Sequence, residues 1–201
     1  RQTNKPDKYI VSECVKVLRD ELPYNLHIFV NSVEFIAKVI DTLKLAPEAV
    51  KVVCSTSGES RQENQRKLGK DYPIGQPSDP AKKINFYTST CFEGCDIFDP
   101  DGVTFIVSDG RKAHTLLDIS TLFTQICGRI RDSRYKAQIV HVYSTTKYSK
   151  AVTLDEFVAA TQRTLAEAES YAAEINSLSD ATRVKTLSKI PYINEQYVRI
   201  A

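Results

Sequence analysis

Five short apolar runs constrain this chain more than any other feature. They are "LHIFVN" (26–31), "VKVVCS" (50–55), "INFYTS" (84–89), "VTFIVS" (103–108) and "QIVHVYS" (138–144). A half-buried strand alternates apolar and polar residues. These runs are nearly continuous in Val, Ile, Phe and Tyr, as strands buried on both faces are, and parallel sheets bury both faces. Helical spacing falls between most of them. After the first run, Val33, Ile36, Ala37, Ile40 and Leu43 share one face, with Asn31 or Ser32 in position to cap the helix. After the second, "GESRQENQRKLG" is polar and compatible with a helix. After the fourth, "AHTLLDISTLFTQICGRIR" puts Leu116, Ile119, Phe123, Ile126 and Ile130 on one face, predicting a helix there. Strands alternating with helices predict an α/β fold with a mostly parallel central sheet and helices on both faces.

The connections carry further information. "DYPIGQPSDPAKK" (71–83), rich in Pro, predicts a long loop. "CFEGCDIFDPDG" has no helical pattern, so the third and fourth strands are expected to be neighbours joined by a functional loop. Residues 1–23 form an N-terminal helical lead-in and 24–150 the α/β domain. Residues 151–201 form a helical extension. In that extension Thr153 and Glu156 make a capping box. Leu154, Val158, Thr161, Leu165, Ala168, Ala172 and Ile175 then form a heptad-like ladder, a surface for a helix-mediated partner through 153–178. Asp180 or Ser179 caps a last short helix near 181–189, which Pro191 stops.

Composition narrows the classes. Hydrophobic content of 42% and charged content of 26% fit a soluble globular protein, and no apolar run approaches the ~18 residues of a membrane span. The chain starts without a signal peptide and without Met, so an intracellular piece of a longer protein is expected. The net charge is only +2, but Arg111, Lys112, Arg129, Arg131, Arg134 and Lys136 face only Asp118 and Asp132 within 111–136. That local surplus suits an anionic partner. Five scattered cysteines suit reduced thiols better than a disulfide framework.

Several chemistries are missing. No glycine precedes Lys-Ser/Thr in a phosphate-loop pattern, and no strand ends in a magnesium-binding acidic motif. His27, His114 and His141 lack zinc-ligand spacing, and His27 and His141 fall inside strand patterns. No metal site and no self-contained enzyme are expected. Cys91 and Cys95 leave open a thiol or metal reading without a third ligand in view.

The segment "QICGRIRDSR" (125–134) is the richest in chemistry. Projected as a helix, Gln125, Arg129 and Asp132 lie within about 60° of one another, opposite the apolar stripe. Arg131 sits at the border. Planar, permanently charged guanidinium groups in such a cluster suit phosphate oxygens. Gly128 removes a side chain beside them.

Gln125-x-x-Gly128-Arg129-x-Arg131 resembles motif VI of the superfamily 2 helicases. Upstream, "TSTCFEGCD" (88–96) resembles their motif V, with Thr88, Gly94 and Asp96 at its key positions. "IFVNSVEFIAKVIDTL" (28–43) resembles motif IV. The three occur in the family's order, each at a strand end, and the resemblance covers about residues 24–146. Its wording is most similar to replication-type helicases near the viral origin-binding proteins. The common motif VI is Gln-x-x-Gly-Arg-x-Gly-Arg. Here Arg131 and Asp132 stand at its second glycine and second arginine, so the second arginine's role falls to Arg131 or Arg134.

The resemblance implies the second RecA-like domain of a helicase or translocase, with a three-layer α/β fold. ATP and Mg2+ would be held mainly by an N-terminal RecA-like domain of the same chain. Arg129 and Arg131 would reach the γ-phosphate, with Gln125 organising the cleft. Gly94 and Asp96 would face the ribose. Thr88, Ser89 and Thr90 would use hydroxyls and backbone amides on DNA or RNA phosphates or to link the two sites, and residues 91–95 would couple them. Asn31, Ser32 and Ser55 to Ser57, at strand ends, suit backbone contact. Arg61, Lys82 and Lys83 would add salt-dependent attraction. The alternative is a degenerate RecA-like scaffold module that docks through 153–178.

Overall fold

The computed structural model describes residues 1–144 and 152–187. The chain divides into two compact units, Arg1–Lys147 and Tyr148–Ala201. The first contains α1 (Pro6–Leu18), β1 (Asn25–Phe29), α2 (Val33–Leu43), β2 (Val50–Val53), α3 (Glu59–Leu68) and β3 (Ile84–Tyr87). It continues with β4 (Ile97–Phe98), β5 (Gly102–Ser108), α4 (Thr124–Cys127), β6 (Ile130–Arg131) and β7 (Ile139–Tyr143). The fold is α/β, a RecA-like arrangement in which helices flank a five-stranded parallel sheet of order β2-β3-β1-β5-β7.

The apolar runs form the strands for the reason their composition gives. All of β2, β3 and β5 is buried. On one face Leu26, Ile28, Ile84, Phe86, Val103 and Phe105 pack with Ile10, Cys14 and Val17 of α1 and Ile36, Val39 and Ile40 of α2. The lead-in helix therefore shares the core of the α/β unit. On the other face Phe29, Val53, Tyr87 and Ile106 meet Cys91, Phe92, Ile97 and Ile126. Ser32 caps α2, its Oγ accepting from Phe35 N at 3.2 Å, and α3 forms from the polar segment.

Both sheet edges are covered. Beside β7, Gln2 bridges Tyr143, with Thr3 N donating to Tyr143 O at 2.8 Å. Beside β2, the 71–83 loop bridges Val52 through Ile74, and Lys51 Nζ donates to Asp79 O at 2.7 Å.

Two expectations are corrected. The third and fourth apolar runs, β3 and β5, are not neighbours; β1 lies between them and pairs with both. The helix expected over 113–131 does not form. A π-helical turn, Ile119–Phe123, runs into the short α4, and Gly128 ends it. Ile119 is left 75% exposed and Ile130 enters a strand. The second face is covered by α4 and a two-stranded parallel ribbon, β4–β6, in place of a long helix.

The second unit holds α5 (Leu154–Ser177) and α6 (Asp180–Leu187). The capping box forms: Thr153 Oγ1 accepts from Glu156 N at 3.3 Å, and Thr153 N donates to Glu156 Oε2 at 2.8 Å. Along the ladder Leu154, Val158 and Leu165 are exposed and Ile175 is buried. The Pro191 stop lies outside the described residues.

Candidate functional site

The β4–β6 ribbon brings the two arginine- and glycine-bearing segments together. Ile97 pairs with Ile130 and Phe98 with Arg131, and Ile97 N donates to Arg129 O at 2.9 Å. Both isoleucines point into the core, which turns Asp96, Phe98 and Arg131 outward. Arg129 donates from Nε to Gln125 O at 3.0 Å and from Nη1 to Cys95 O at 2.9 Å. Arg131 donates from Nε to Asp96 Oδ1 at 2.9 Å, with both side chains about half exposed. Among the described residues Arg131 makes no other hydrogen bond, so the terminal N–H groups of its guanidinium stay uncommitted. Further along, Arg134 pairs with Asp101 and Ser133 Oγ donates to Gly102 O at 2.6 Å. Of the two arginines that compete for the second role, Arg131 faces Asp96, and Arg134 is held by Asp101.

Glycines at this site serve different ends. Gly94 has φ +70, a left-handed conformation that a side chain would strain, with open space around it. At Gly128 an added Cβ would meet only Gln125 O at 3.7 Å, so no close protein neighbour requires this glycine. The Gln125 side chain is exposed and makes no hydrogen bond among the described residues.

Beneath the ribbon lies a polar network that motif reading missed. Asp99, buried, accepts from Asn25 Nδ2 at 3.0 Å and from Asp101 N at 2.9 Å. Its Oδ2 lies 2.7 Å from His27 Nε2, and His27 Nδ1 lies 3.1 Å from the Tyr87 hydroxyl. Burial pushes the His27 pKa below its ordinary value, against the pull of Asp99. Burial pushes Asp99 upward, but hydrogen bonds from His27, Asn25 and Asp101 outweigh it and hold its pKa below the usual value. The consistent state is an ionised Asp99 accepting from the Nε2–H of a neutral His27, whose Nδ1 accepts from Tyr87. A signal for this network exists in the sequence. Lys51, Asn85, His27 and Thr104 each stand once inside an apolar run, and strand register sets them in one row across the sheet.

The carboxyl ends of the strands gather a second set. Asn31 donates from Nδ2 to His114 O at 2.9 Å and accepts from Ser89 N at 3.4 Å. Thr88 is buried, with its hydroxyl 3.3 Å from that of Thr90; Ser89 and Thr90 are exposed. Ser55 Oγ lies 3.0 Å from Ser57 Oγ. Ser32 is buried and its hydroxyl is committed to the α2 cap. Lys82 and Lys83 precede β3 and so sit at the opposite, amino edge, where Lys82 Nζ donates to Pro47 O at 2.6 Å and Lys83 pairs with Asp20. That placement removes these two lysines from the strand-end set.

The cysteines are all free thiols. Cys91 is buried, and burial together with Cys95 pushes its thiol up to about 12, which disfavours the nucleophilic thiolate. Cys95 Sγ donates to Cys91 O at 3.3 Å. Among the described residues no group of three or more His, Cys, Asp or Glu is placed to hold a metal ion, and no helix is long and apolar enough to cross a membrane. Comparisons with protein-family models, with curated proteins and with solved structures find no match to this chain.

Proposed function

We propose that this chain is the second motor domain of an ATP-dependent nucleic-acid helicase or translocase. One observation carries the reading. Arg129 and Arg131, separated in sequence from residues 94–96, converge on that loop through Cys95 O and Asp96 at 2.9 Å each. The segments that resemble motifs V and VI thus form one exposed, guanidinium-bearing face on a RecA-like sheet. The residues fit a triphosphate substrate, because Arg131 keeps its terminal N–H donors uncommitted and accessible. An exposed pair of this kind contributes about 0–1 kcal/mol, so Arg131 can exchange Asp96 for a phosphate oxygen at little cost. Arg129 would be the more fixed of the two, its guanidinium held by two carbonyls. Guanidinium groups aimed at the γ-phosphate stabilise charge in phosphoryl transfer and can supply about 10³–10⁵ in rate. Mg2+ and the phosphate loop would come from a first motor domain. Asn31, Ser55, Ser89 and Thr90 would hold the nucleic-acid backbone without reading bases.

The test uses a parent chain that unites this domain with a phosphate-loop domain. Arg129→Ala and Arg131→Ala should each lower nucleic-acid-stimulated ATP hydrolysis by about 10³-fold or more. ATP should stay bound there through the phosphate loop. Wild-type turnover in both variants would refute the assignment. The scaffold alternative draws on the exposed Leu154, Val158 and Leu165 of α5, and it requires partner binding that survives loss of both arginines.

A further inference from the structure

The outward face of the β4–β6 ribbon carries one group that the arginine chemistry does not use. Phe98 is 67% exposed, beside a buried Ile97. A single exposed phenylalanine is ordinary on a protein surface. Its position here is what gives it meaning. Phe98 is paired directly with Arg131 across the ribbon. Asp96 lies two residues before it and, like Phe98, is exposed, whereas the intervening Ile97 points into the core. No aromatic ring or guanidinium stacks on Phe98 among the described residues, so its π-faces are open.

Arg131 stands opposite Phe98, but its guanidinium reaches back to Asp96, and that of Arg129 is held at Cys95 O, so along the ribbon the Arg129 guanidinium comes first, then the Asp96–Arg131 pair, then Phe98. Asp96 and Phe98 are separated by about 7 Å, one strand repeat. That sequence of groups matches the parts of a nucleotide, with phosphates at the arginines, a ribose beside Asp96 and a base beyond it. Asp96 uses Oδ1 on Arg131, and its Oδ2 has no hydrogen-bond partner among the described residues, so a ribose hydroxyl can donate to it.

We infer that Phe98 is the base-stacking platform of the proposed nucleotide site and sets its preference among nucleoside triphosphates. The inference rests on the reading of Arg129 and Arg131 given above. A phenyl ring stacks on a base without reading its edges, so the site accepts purines as a class. ATP and GTP bind alike, and pyrimidine triphosphates, with smaller π-faces, bind less well.

The experiment titrates the purified protein with ATP, GTP, UTP and inorganic tripolyphosphate, following backbone amide shifts of residues 94–98 and 129–131. Wild-type protein should bind ATP and GTP more tightly than tripolyphosphate by about 5- to 150-fold, the range that base–aromatic stacking gives. Phe98→Ala should collapse that ratio toward one and leave tripolyphosphate affinity unchanged. Phe98→Tyr should restore it. Because Phe98 is exposed, unchanged thermal unfolding of the alanine variant separates a lost platform from a lost fold. Tripolyphosphate binding that depends on Arg131, with ATP no tighter and Phe98→Ala silent, would overturn the stacking role and leave the phosphate-binding reading standing. No detectable binding of any of the four would overturn the stacking platform, and binding that Arg131→Ala leaves unchanged would overturn the arginine reading as well.

Discussion

His27 gives the sharpest quantitative handle on the molecule. Its ring is fully buried, 2.7 Å from Asp99 and 3.1 Å from the Tyr87 hydroxyl, with the buried Lys51 adding repulsion toward a protonated ring. The folded state therefore holds His27 neutral below its ordinary pKa of 6.5, whereas the unfolded chain protonates near that value. Stability is then fully present above pH 6.5 and falls as pH drops, by about 1.4 kcal/mol per pH unit for one proton. His141, also held low by burial and the amino terminus, contributes in the same direction. Asp99, held low as well, acts below its ordinary value of 3.8 and outside this window. The perturbation is His27→Gln, whose amide can still donate to Asp99 but cannot titrate. Urea unfolding followed by far-ultraviolet circular dichroism at several pH values is the assay. The variant should be less stable at pH 7.5 by about 1–3 kcal/mol, for the bond to Tyr87 left unmade. Its stability should also fall with acid more gently than wild type, by the equivalent of one proton. Equal slopes in the two proteins would refute the buried neutral imidazole.

Gly102→Ala should destabilise by about 1–3 kcal/mol, because the new Cβ meets His27 ring atoms at 2.9 Å and Ile130 Cγ2 at 3.1 Å, and the ring is pinned at both nitrogens. A urea midpoint that does not move would show the ring free to yield. Alkylation of the native protein with iodoacetamide, read by mass spectrometry, should label the partly exposed Cys95 and Cys127 first. Cys14, Cys54 and Cys91 should lag, since burial pushes their thiols up to about 12, 11 and 12. Labelling of Cys91 ahead of Cys95 would reopen the thiol chemistry.

The parts of the fold legible in the sequence are those set by local pattern. Ser32 and the 3.6-residue spacing behind it define α2, and unbroken apolar runs define the strands. Thr153 and Glu156 announce α5. What escaped depends on partners remote in the chain. Leu116, Ile119, Phe123, Ile126 and Ile130 keep helical spacing, yet Ile130 pairs with Ile97 and the helix gives way after Cys127. Strand order escaped for the same reason, since nothing near residues 84–89 or 103–108 says that β1 will separate them. At the site, the arginines and Asp96 were visible as residue types. Their meeting was not, because it depends on a ribbon of two-residue strands too short to show periodicity. Asp99 and Phe98 were hidden in the same way.

The central position of β1 has a consequence for how the chain reaches this structure. Leu26 must wait for Ile84 on one side and Val103 on the other, so the strand made first is completed only after two later ones. Every pairing in the main sheet is parallel and long-range, a topology that folds slowly. During synthesis "LHIFV" emerges with both edges open and no local partner. Until residues near 108 leave the ribosome, it is the segment most exposed to misassociation. α2, which can form at once behind its Ser32 cap, is the nearest cover available to it, and mutations that weaken that cap should lower soluble yield before they measurably alter the folded protein.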